Sequence, residues 1–206
     1  MPRLICQACL RPEPTCICAW VRPTPHAVEV LILQHPLEVH HAKNTARLLH
    51  LCLPNSRIVV AEAFDATTMQ GLLPPTKTTL LLYPPTPGDV YQTPAELDES
   101  QLRDPAQVRL VVLDATWRKS RKMLHLSPAL QQLPRLALHD TPAPRYTVRK
   151  AHQPGQLSTL EATVAALAQL EQGEGGTAPW QPLLDAFDGW MAQQKVFLDE
   201  KCLEPP

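Results

Sequence analysis

An acid, a hydroxyl and an indole come directly after one apolar run of β-forming residues. The run covers residues 108–113, and Asp114, Thr116 and Trp117 follow it. If the run is a buried strand of an open α/β sheet, these side chains lie at its carboxyl end, where such sheets bind ligands. A carboxylate there can accept a proton, and an indole can stack on a base or form a pocket wall. The alternative is a helix start, with Asp114 or Thr116 as the cap and Trp117 in the core.

Four cations follow this segment at once: Arg118, Lys119, Arg121 and Lys122. Basic residues beside a ligand pocket are typical of a surface that contacts the phosphates of a nucleic acid. A run of charges on a helix is more often a solvated face, and this alternative stays open. The position next to Asp114 favours phosphate contacts and therefore a polyanionic substrate.

Four cysteines, Cys6, Cys9, Cys16 and Cys18, lie close together near the N-terminus. In a cytosolic chain, close cysteine pairs favour a metal over disulfides. Four thiolates fill a tetrahedral Zn²⁺ site and leave no vacant position, so the pattern predicts one structural zinc ion. The spacing of Cys16 and Cys18 is tighter than usual, and an iron–sulfur cluster or two disulfides are the alternatives. Cys52 is predicted to be a buried apolar residue of a helix.

Length, composition and charge favour a cytoplasmic enzyme. The chain has 206 residues, of which 44% are hydrophobic, which predicts one folded domain with a small appendage. The net charge is −1, so nucleic-acid binding has to depend on a local basic patch. The sequence has no apolar run of about 20 residues and no secretory signal region at its start, and we expect no membrane association.

Strand and helix patterns alternate along the chain. Strands are predicted over residues 28–33, 57–61, 78–83, 108–113 and 135–138. Helices are predicted over residues 44–52, 117–126, 158–172 and 182–198. Near-continuous apolar strands separated by helices predict an α/β fold with a mainly parallel sheet and helices on both faces.

Two helices carry further signals. Ser158 and Glu161 have the spacing of a capping box, in which each side chain caps the start of the same helix. The last helix places five large apolar residues on one face: Leu183, Leu184, Phe187, Trp190 and Met191. His35, His40 and His41 follow the first strand, and we interpret them as surface or structural residues rather than ligands.

Five short blocks, spread in order over most of the chain, carry a resemblance to a known family. They are LQHPLEVHHAKNTARLL (33–49), LLLYPP (80–85), LDATW (113–117), RYTVRK (145–150) and LSTLEAT (157–163). The chain resembles the DTW-domain family, the tRNA-uridine aminocarboxypropyltransferases, whose naming tetrapeptide matches residues 114–117 with Ala115 at the variable position. The cysteine cluster, followed by a tryptophan and a proline-rich stretch, is similar to the family's zinc ribbon.

The resemblance implies two domains and a particular fold. Residues 1–24 would form the zinc-binding ribbon, and residues 25–206 the DTW catalytic domain. The family is related to SPOUT-type methyltransferases, so the resemblance implies a SPOUT-like fold in which the C-terminal part can be knotted.

The resemblance also implies a reaction. The 3-amino-3-carboxypropyl group of S-adenosylmethionine would move to N3 of a uridine in tRNA, with 5′-methylthioadenosine as the other product. Because the sulfonium is already an activated leaving group, the protein has to orient the reactants and remove the N3 proton. Asp114 is the candidate base or a ligand of the α-amino group, Thr116 would bind the carboxylate or the uracil edge, and Trp117 would stack on uracil or wall the adenosyl pocket.

The matched blocks imply further binding residues. The predicted S-adenosylmethionine site consists of Leu82, Tyr83, Pro84, Thr116, Leu157, Ser158, Thr159 and Glu161. The free N–H groups where Ser158 opens its helix can hold a carboxylate. The predicted RNA-binding residues are Lys43, Arg118, Lys119, Arg121, Lys122, Arg145 and Arg149.

The predicted partner is tRNA, and we expect a monomer. Two other functions remain open. The first is a SPOUT-class RNA methyltransferase, which uses the same cofactor and a different carbon. The second is a zinc-ribbon RNA-binding protein without catalysis. The identity of the nucleoside product separates the two enzymes, and turnover separates both from the binding protein.

Overall fold

The computed structural model describes residues 4–85, 94–139, 141, 143–146, 157–171 and 178–203. Five strands form one sheet: β1 (Glu29–Gln34), β2 (Ser56–Val60), β3 (Thr78–Leu82), β4 (Val108–Asp114) and β5 (Arg135–Leu136). Their order is β2-β1-β4-β3-β5, and every neighbouring pair is parallel. The predicted α/β class with a mainly parallel sheet is confirmed.

Helices connect and cover these strands. They are α1 (Ala46–Cys52), α2 (Ala66–Leu72), α3 (Trp117–Leu126), α4 (Pro128–Gln131), α5 (Thr159–Leu170) and α6 (Gln181–Leu203). Short 3₁₀ turns occur at Glu13–Thr15, Cys18–Trp20, Pro36–Glu38, Glu99–Leu102, Pro105–Gln107 and Ala178–Trp180. None of the helices within the described residues has the length and apolar character needed to cross a lipid bilayer.

The two faces of the sheet bury separate apolar clusters, because successive strand residues point to opposite faces. Val30 and Ile32 of β1 face a cluster that includes residues of α1, α5 and α6. Leu31 and Leu33 face a second cluster with residues of α2, α3 and α4. Helices therefore cover both faces, as the sequence predicts. The predicted apolar face of α6 is also confirmed, since all five of its residues are buried.

Some elements differ from the sequence-based expectation. The sequence pattern does not predict α2, since Thr67, Thr68 and Gly71 are poor helix formers. Asp65 starts this helix by accepting a hydrogen bond from the Thr68 N–H at 2.7 Å. The first predicted helix begins at Ala46 rather than Asn44, whose side chain has other partners described below.

The carboxyl ends of three strands form one edge of the sheet. Gln34 of β1 and Asp114 of β4 are direct partners in the parallel register, and Leu82 of β3 pairs with Val112. The predicted SPOUT-like knot depends on the chain path between β5 and α5, and most of that path lies outside the described residues.

The N-terminal residues 4–20, here called the cysteine module, pack against α6. Cys9 and Ile17 belong to the same buried cluster as Phe187 and Trp190 of that helix. The Trp20 ring lies so close to Gly189 that a Cβ there would come within 2.3 Å of it, so only glycine permits this contact. The boundary between residues 1–24 and 25–206 as two domains stays a prediction.

Candidate functional site

An apolar cavity of about 460 Å³ opens at the carboxyl edge of the sheet. The ends of β3, β4 and β5 and the start of α5 enclose it. Its size lies within the range of small-molecule sites, which are mostly apolar with a few polar groups. Six of the predicted S-adenosylmethionine residues line it: Leu82, Tyr83, Pro84, Leu157, Ser158 and Thr159.

Asp114 lies at the end of β4 and is buried, with three hydrogen-bond donors around its carboxylate. Its Oδ2 accepts from Gln34 Nε2 at 2.8 Å and from Asn44 Nδ2 at 2.6 Å. Its Oδ1 accepts from Thr159 Oγ1 at 2.7 Å. These donors come from β1, the segment before α1, and α5, so three distant parts of the chain orient this acid.

Burial sets the acidity of Asp114. Desolvation raises the pKa of its carboxyl above the usual range, and the charge of nearby Glu38 acts in the same direction. The donors from Gln34, Thr159 and Asn44 oppose this shift without cancelling it. A carboxylate with a raised pKa is a stronger proton acceptor than an exposed one, which suits a general base.

Thr159 connects Asp114 to the apolar cavity. Asp114 borders a small polar pocket of about 20 Å³, together with Glu38, His41 and Lys43. Thr159 lines both this polar pocket and the apolar cavity. A hydroxyl both donates and accepts, so Thr159 can carry a proton between the cavity and Asp114.

Trp117 separates the cavity from the outer surface. Its indole stacks on the Tyr83 ring with centroids 5.2 Å apart and an interplanar angle of 6°. It is 47% exposed and borders both the apolar cavity and a groove on α3. The alternative of an ordinary core tryptophan therefore does not hold. Thr116 takes the N-cap position of α3, and its carbonyl accepts from the Ser120 N–H at 2.8 Å.

Ser158 and Glu161 form the capping box that their spacing predicts. Glu161 Oε2 accepts from the Ser158 N–H at 2.8 Å, and Oε1 accepts from the N–H groups of Arg145 at 2.5 Å and Tyr146 at 3.2 Å. The cavity lining formed by the described residues does not include Glu161. Two of the N–H groups expected to be free, those of Leu160 and Glu161, already donate to Thr45 and Ser158.

The predicted RNA-binding residues lie in more than one place. Arg118, Arg121 and Lys122 line the groove on α3, called the basic groove, with Trp117 and His125, and Lys122 pairs with Glu62 at 2.8 Å. The other described members lie outside this groove. Lys119 pairs with Glu38 at 2.8 Å, Arg145 pairs with Asp188 at 2.9 Å, and Lys43 borders the polar pocket. Arg149 lies outside the described residues.

The four N-terminal cysteines converge on one point. Their sulfur atoms all lie within 4.8 Å of one another, with Cys6 and Cys18 at 3.6 Å and Cys9 and Cys16 at 3.7 Å. Sulfurs about 2.3 Å from a tetrahedral ion are about 3.8 Å apart, so the group fits a metal such as zinc. These cysteines are free thiols, and their separations exceed the roughly 2 Å of a disulfide bond.

Local backbone geometry supports the cysteine site. The N–H groups of Cys9 and Ala8 face the Cys6 sulfur and lower the pKa of that thiol to about 6, whereas burial raises the pKa of the Cys18 thiol. Leu10 adopts a φ of 59°, a left-handed conformation that turns the chain after Cys9. Cys52 is a separate, fully buried thiol in α1, as predicted.

Two partners of Asp114, Gln34 and Asn44, are not among the residues predicted from the sequence. Gln34 comes from the end of β1, and Asn44 precedes α1 by two residues. A usable signal existed for Gln34, since it is a polar residue at the predicted end of a strand. Asn44 had no such local signal. Of the three histidines, His35 is structural, since its Nδ1 accepts from the Leu37 N–H at 3.1 Å and its Nε2 contacts Glu62.

Comparisons with known proteins agree on one family. The sequence model of the DTW domain matches residues 3–195. A Drosophila melanogaster protein named tRNA-uridine aminocarboxypropyltransferase 2 is 32% identical over 174 residues, covering 81% of this chain and 66% of that protein. An Arabidopsis thaliana protein named tRNA-uridine aminocarboxypropyltransferase A is 33% identical over 137 residues, covering 61% and 52%.

A Mus musculus protein named tRNA-uridine aminocarboxypropyltransferase 2 is 28% identical over 174 residues, covering 81% of this chain and 56% of that protein. The matched part of the chain thus spans between about half and two thirds of the length of these relatives. No solved structure matches the chain.

Proposed function

The chain belongs to the DTW-domain family, and from this membership we propose that it transfers the 3-amino-3-carboxypropyl group of S-adenosylmethionine to N3 of a uridine in tRNA. The relatives named for aminocarboxypropyl transfer to tRNA uridine support the reaction class. The observation that carries the proposal is Asp114, a buried acid linked through Thr159 to a cavity of about 460 Å³.

The apolar cavity fits S-adenosylmethionine in size and chemistry. Its walls combine apolar side chains with the rings of Tyr83 and Trp117, which suit an adenine base. Leu82, Pro84 and Leu157 would complete the walls, and Ser158 and Thr159 would supply polar contacts. When bound, S-adenosylmethionine supplies a carbon that its sulfonium has already activated for displacement.

Asp114 and Thr159 would remove the proton from uridine N3. The N3–H would donate to Thr159 Oγ1, whose own proton moves to Asp114 Oδ1 along the existing 2.7 Å hydrogen bond. The raised pKa of Asp114 favours this transfer. The amides of Gln34 and Asn44 hold Oδ2 and so keep Oδ1 directed at Thr159. Thr116 would orient the donor's carboxylate or the uracil edge.

Trp117 and the basic groove would present the tRNA. Single bases stack on exposed aromatic rings, and basic side chains hold the neighbouring phosphates. Trp117 borders both the cavity and the groove formed with Arg118, Arg121 and Lys122. A uridine stacked on this indole would therefore enter the cavity while its backbone stays in the groove. Lys43 and Arg145 would extend the contact near the polar pocket.

The four cysteines of the module would hold one structural Zn²⁺. A site with four thiolate ligands has no open position for substrate, so the metal would do no chemistry. Metal analysis of the purified protein should give about one zinc per chain. A ratio near zero, or iron in place of zinc, would contradict this part of the proposal. Loss of the chemical step at saturating tRNA, with the fold intact after chelation, would contradict the structural role.

The decisive experiment identifies both products. Purified protein is incubated with S-adenosylmethionine and unmodified tRNA, and the digested nucleosides and the small molecules are analysed by mass spectrometry. We expect 3-(3-amino-3-carboxypropyl)uridine together with 5′-methylthioadenosine in equal amounts. A methylated nucleoside with S-adenosylhomocysteine would identify a methyltransferase instead. Binding of tRNA without either product, in the zinc-loaded protein, would favour the binding-protein alternative.

A further inference from the structure

Arg11 reaches out of the cysteine module to the chain segment beside Asp114. Its backbone is fixed inside the module, where the Arg11 carbonyl accepts from the Cys6 N–H at 2.9 Å. Its guanidinium donates from Nη1 to the Ala42 carbonyl at 2.7 Å and from Nη2 to the Asn44 carbonyl at 2.9 Å. The same guanidinium lies 5.3 Å from the ring centroid of Trp190 in α6. One side chain therefore joins three parts of the molecule.

The carbonyls of residues 42–44 all accept hydrogen bonds from side chains. Arg11 binds the first and third carbonyls of this segment, and the Tyr146 hydroxyl donates to the second, that of Lys43, at 2.6 Å. The segment lies between a 3₁₀ turn and α1, so helix or sheet bonds do not fix these carbonyls. Arg11 and Tyr146 therefore hold the carbonyls of this segment, while the Asn44 N–H donates to the His41 carbonyl at 2.9 Å and the Asn44 Oδ1 accepts from the Arg47 N–H at 3.3 Å.

The same segment carries one of the three donors to Asp114. Asn44 offers its carbonyl to Arg11 and its side-chain Nδ2 to Asp114 Oδ2, at 2.6 Å. Movement of the Asn44 backbone by even half an ångström would disturb this contact. A displacement of a catalytic group by about 1 Å can lower the rate by about 100-fold.

We propose that Arg11 is a positioning residue for the transfer reaction, which holds Asn44 against Asp114 and so couples the cysteine module to the site. The inference rests on the proposed function in one respect, namely that Asp114 takes part in the reaction. The coupling between Arg11 and Asp114 is a property of the fold and can be measured without turnover.

The expected direction of the effect follows from the groups that face Asp114. Its donors are Gln34 from β1, Thr159 from α5, and Asn44. The charged or titratable residues around the polar pocket are Glu38, His41, Lys43 and Tyr146, with Glu38 paired to Lys119 of α3. The Asn44 donor stabilises the charged carboxylate. Loosening Asn44 should therefore raise the pKa of Asp114 further and move the acid limb of the activity profile to higher pH.

The test compares Arg11→Ala with Arg22→Ala. Arg22 is a matched control, because its guanidinium binds only the nearby carbonyls of Ala19 and Val21 among the described residues. In Arg11→Ala we expect a kcat roughly tenfold lower, a little-changed KM for S-adenosylmethionine and an acid limb shifted upward. Arg22→Ala should change none of these. Zinc content and melting temperature are measured for both, and Arg11→Lys, which keeps the charge but replaces the planar two-nitrogen fork with a single ammonium, should give an intermediate effect.

A double-mutant cycle separates positioning from a general loss of stability. If Arg11 acts through Asn44, then Arg11→Ala should cost little further activity when Asn44→Ala is already present. Fully additive losses would overturn the proposal. Should Arg11→Ala fail to fold or lose its zinc, Arg11→Lys takes its place in the same cycle with the same two outcomes.

An NMR titration of the Asp114 carboxyl carbon in the full chain does not require turnover. We expect a higher midpoint in Arg11→Ala or Arg11→Lys than in the wild type, and an unchanged midpoint would overturn the coupling. A raised midpoint in a protein that makes neither product would instead show that the proposed function is wrong while the coupling holds.

Discussion

Asp114 and Glu161 are two buried acids beside the first turn of α5, and their hydrogen-bond donors differ in kind. Asp114 receives the side chains of Gln34, Asn44 and Thr159, whereas Glu161 receives backbone N–H groups, including that of Ser158. Backbone donors are fixed by the fold, so Glu161 holds the chain in place. Side-chain donors can rotate, so Asp114 can change its protonation state without disturbing the helix start.

Asp114 also has access to the two cavities of the site, whereas Glu161 lines neither of them among the described residues. Asp114 borders the polar pocket and contacts the apolar cavity through Thr159. Glu161 accepts hydrogen bonds from the backbone N–H groups of Arg145 and Tyr146 and so holds that segment against the start of α5. Of two acids in one place, the one with movable donors and a route to a cavity is therefore the candidate for chemistry.

The largest expected effect comes from Asp114→Asn. The asparagine carbonyl can accept from Gln34 and Asn44 while its NH₂ donates to Thr159 Oγ1, so the fold should be kept. Binding of S-adenosylmethionine and tRNA should remain, and the transfer rate should fall by about 10²–10⁴. Higher pH should recover part of the rate, because more of the uridine ionises without a base.

Asp65→Asn is the control, since Asp65 is an acid that only caps α2. Should the loss in Asp114→Asn appear as weaker S-adenosylmethionine binding without recovery at high pH, Asp114 would be a ligand of the ammonium group instead. Near-normal turnover would eliminate both roles.

Glu161→Gln should reverse the pattern, with a loss of stability rather than of chemistry. Both Glu161 oxygens accept from N–H groups, so the amide NH₂ of glutamine would face a donor and leave it unpaired. The free energy of unfolding should fall by about 1–3 kcal/mol. Glu171→Gln is the matched control at the other end of the same helix, because one Glu171 oxygen accepts from both Ala27 and Val28 and a glutamine carbonyl can do the same.

Urea unfolding of the two variants checks this expectation. Equal stability of Glu161→Gln and Glu171→Gln would mean that the capping box contributes little. A rate loss in Glu161→Gln as large as that of Asp114→Asn would remove the distinction between the two acids.

Features that depend on local sequence could be predicted. The cysteine spacing, the capping box of Ser158 and Glu161, and four strands to within about two residues all follow from patterns inside one short segment. The fifth strand, β5, is shorter than predicted, at two residues. Apolar periodicity carries this information because each element buries one face or both.

The meeting of Gln34, Asn44 and Thr159 at Asp114 could not be predicted, because the strand order and the packing of α5 bring these distant residues together. β1 lies next to β4, although two strands and several helices separate them in the chain. That adjacency places Gln34 opposite Asp114, and it brings the segment with Asn44 to the same edge. The family resemblance identified residues 114–117, but the hydrogen-bond partners that affect the pKa of Asp114 lie far from it in the sequence.

The raised pKa of Asp114 predicts a pH dependence of stability. A carboxyl whose pKa is raised by folding stabilises the protein when protonated, so this contribution is full below the unfolded value and lost as pH rises through the folded pKa. Above about pH 4 the wild type should lose stability relative to Asp114→Asn, by at most about 1.4 kcal/mol per pH unit. Other carboxylates titrate equally in both proteins and cancel in the difference. A wild type that gains stability relative to the variant would mean that the pKa is depressed and would undermine the base.

The smallest expected effect is on tRNA binding, and it comes from arginines near Asp114 and near Glu161 in the sequence or the structure. Arg118 and Arg121 come after Asp114 in the sequence and line the basic groove. Arg145 donates its backbone N–H to Glu161, and its guanidinium pairs with Asp188 at 2.9 Å. Replacing Arg118 and Arg121 with alanine should weaken tRNA binding and reduce the slope of log K against log salt by roughly 0.7–0.9 for each lost phosphate contact. Affinity for S-adenosylmethionine should hardly change. Arg145→Ala should have a smaller effect on the slope, since Arg145 lies outside the basic groove. An unchanged slope in the Arg118 and Arg121 variant would return these residues to a solvated helix face, and equal slopes in all variants would end the distinction between the two surroundings.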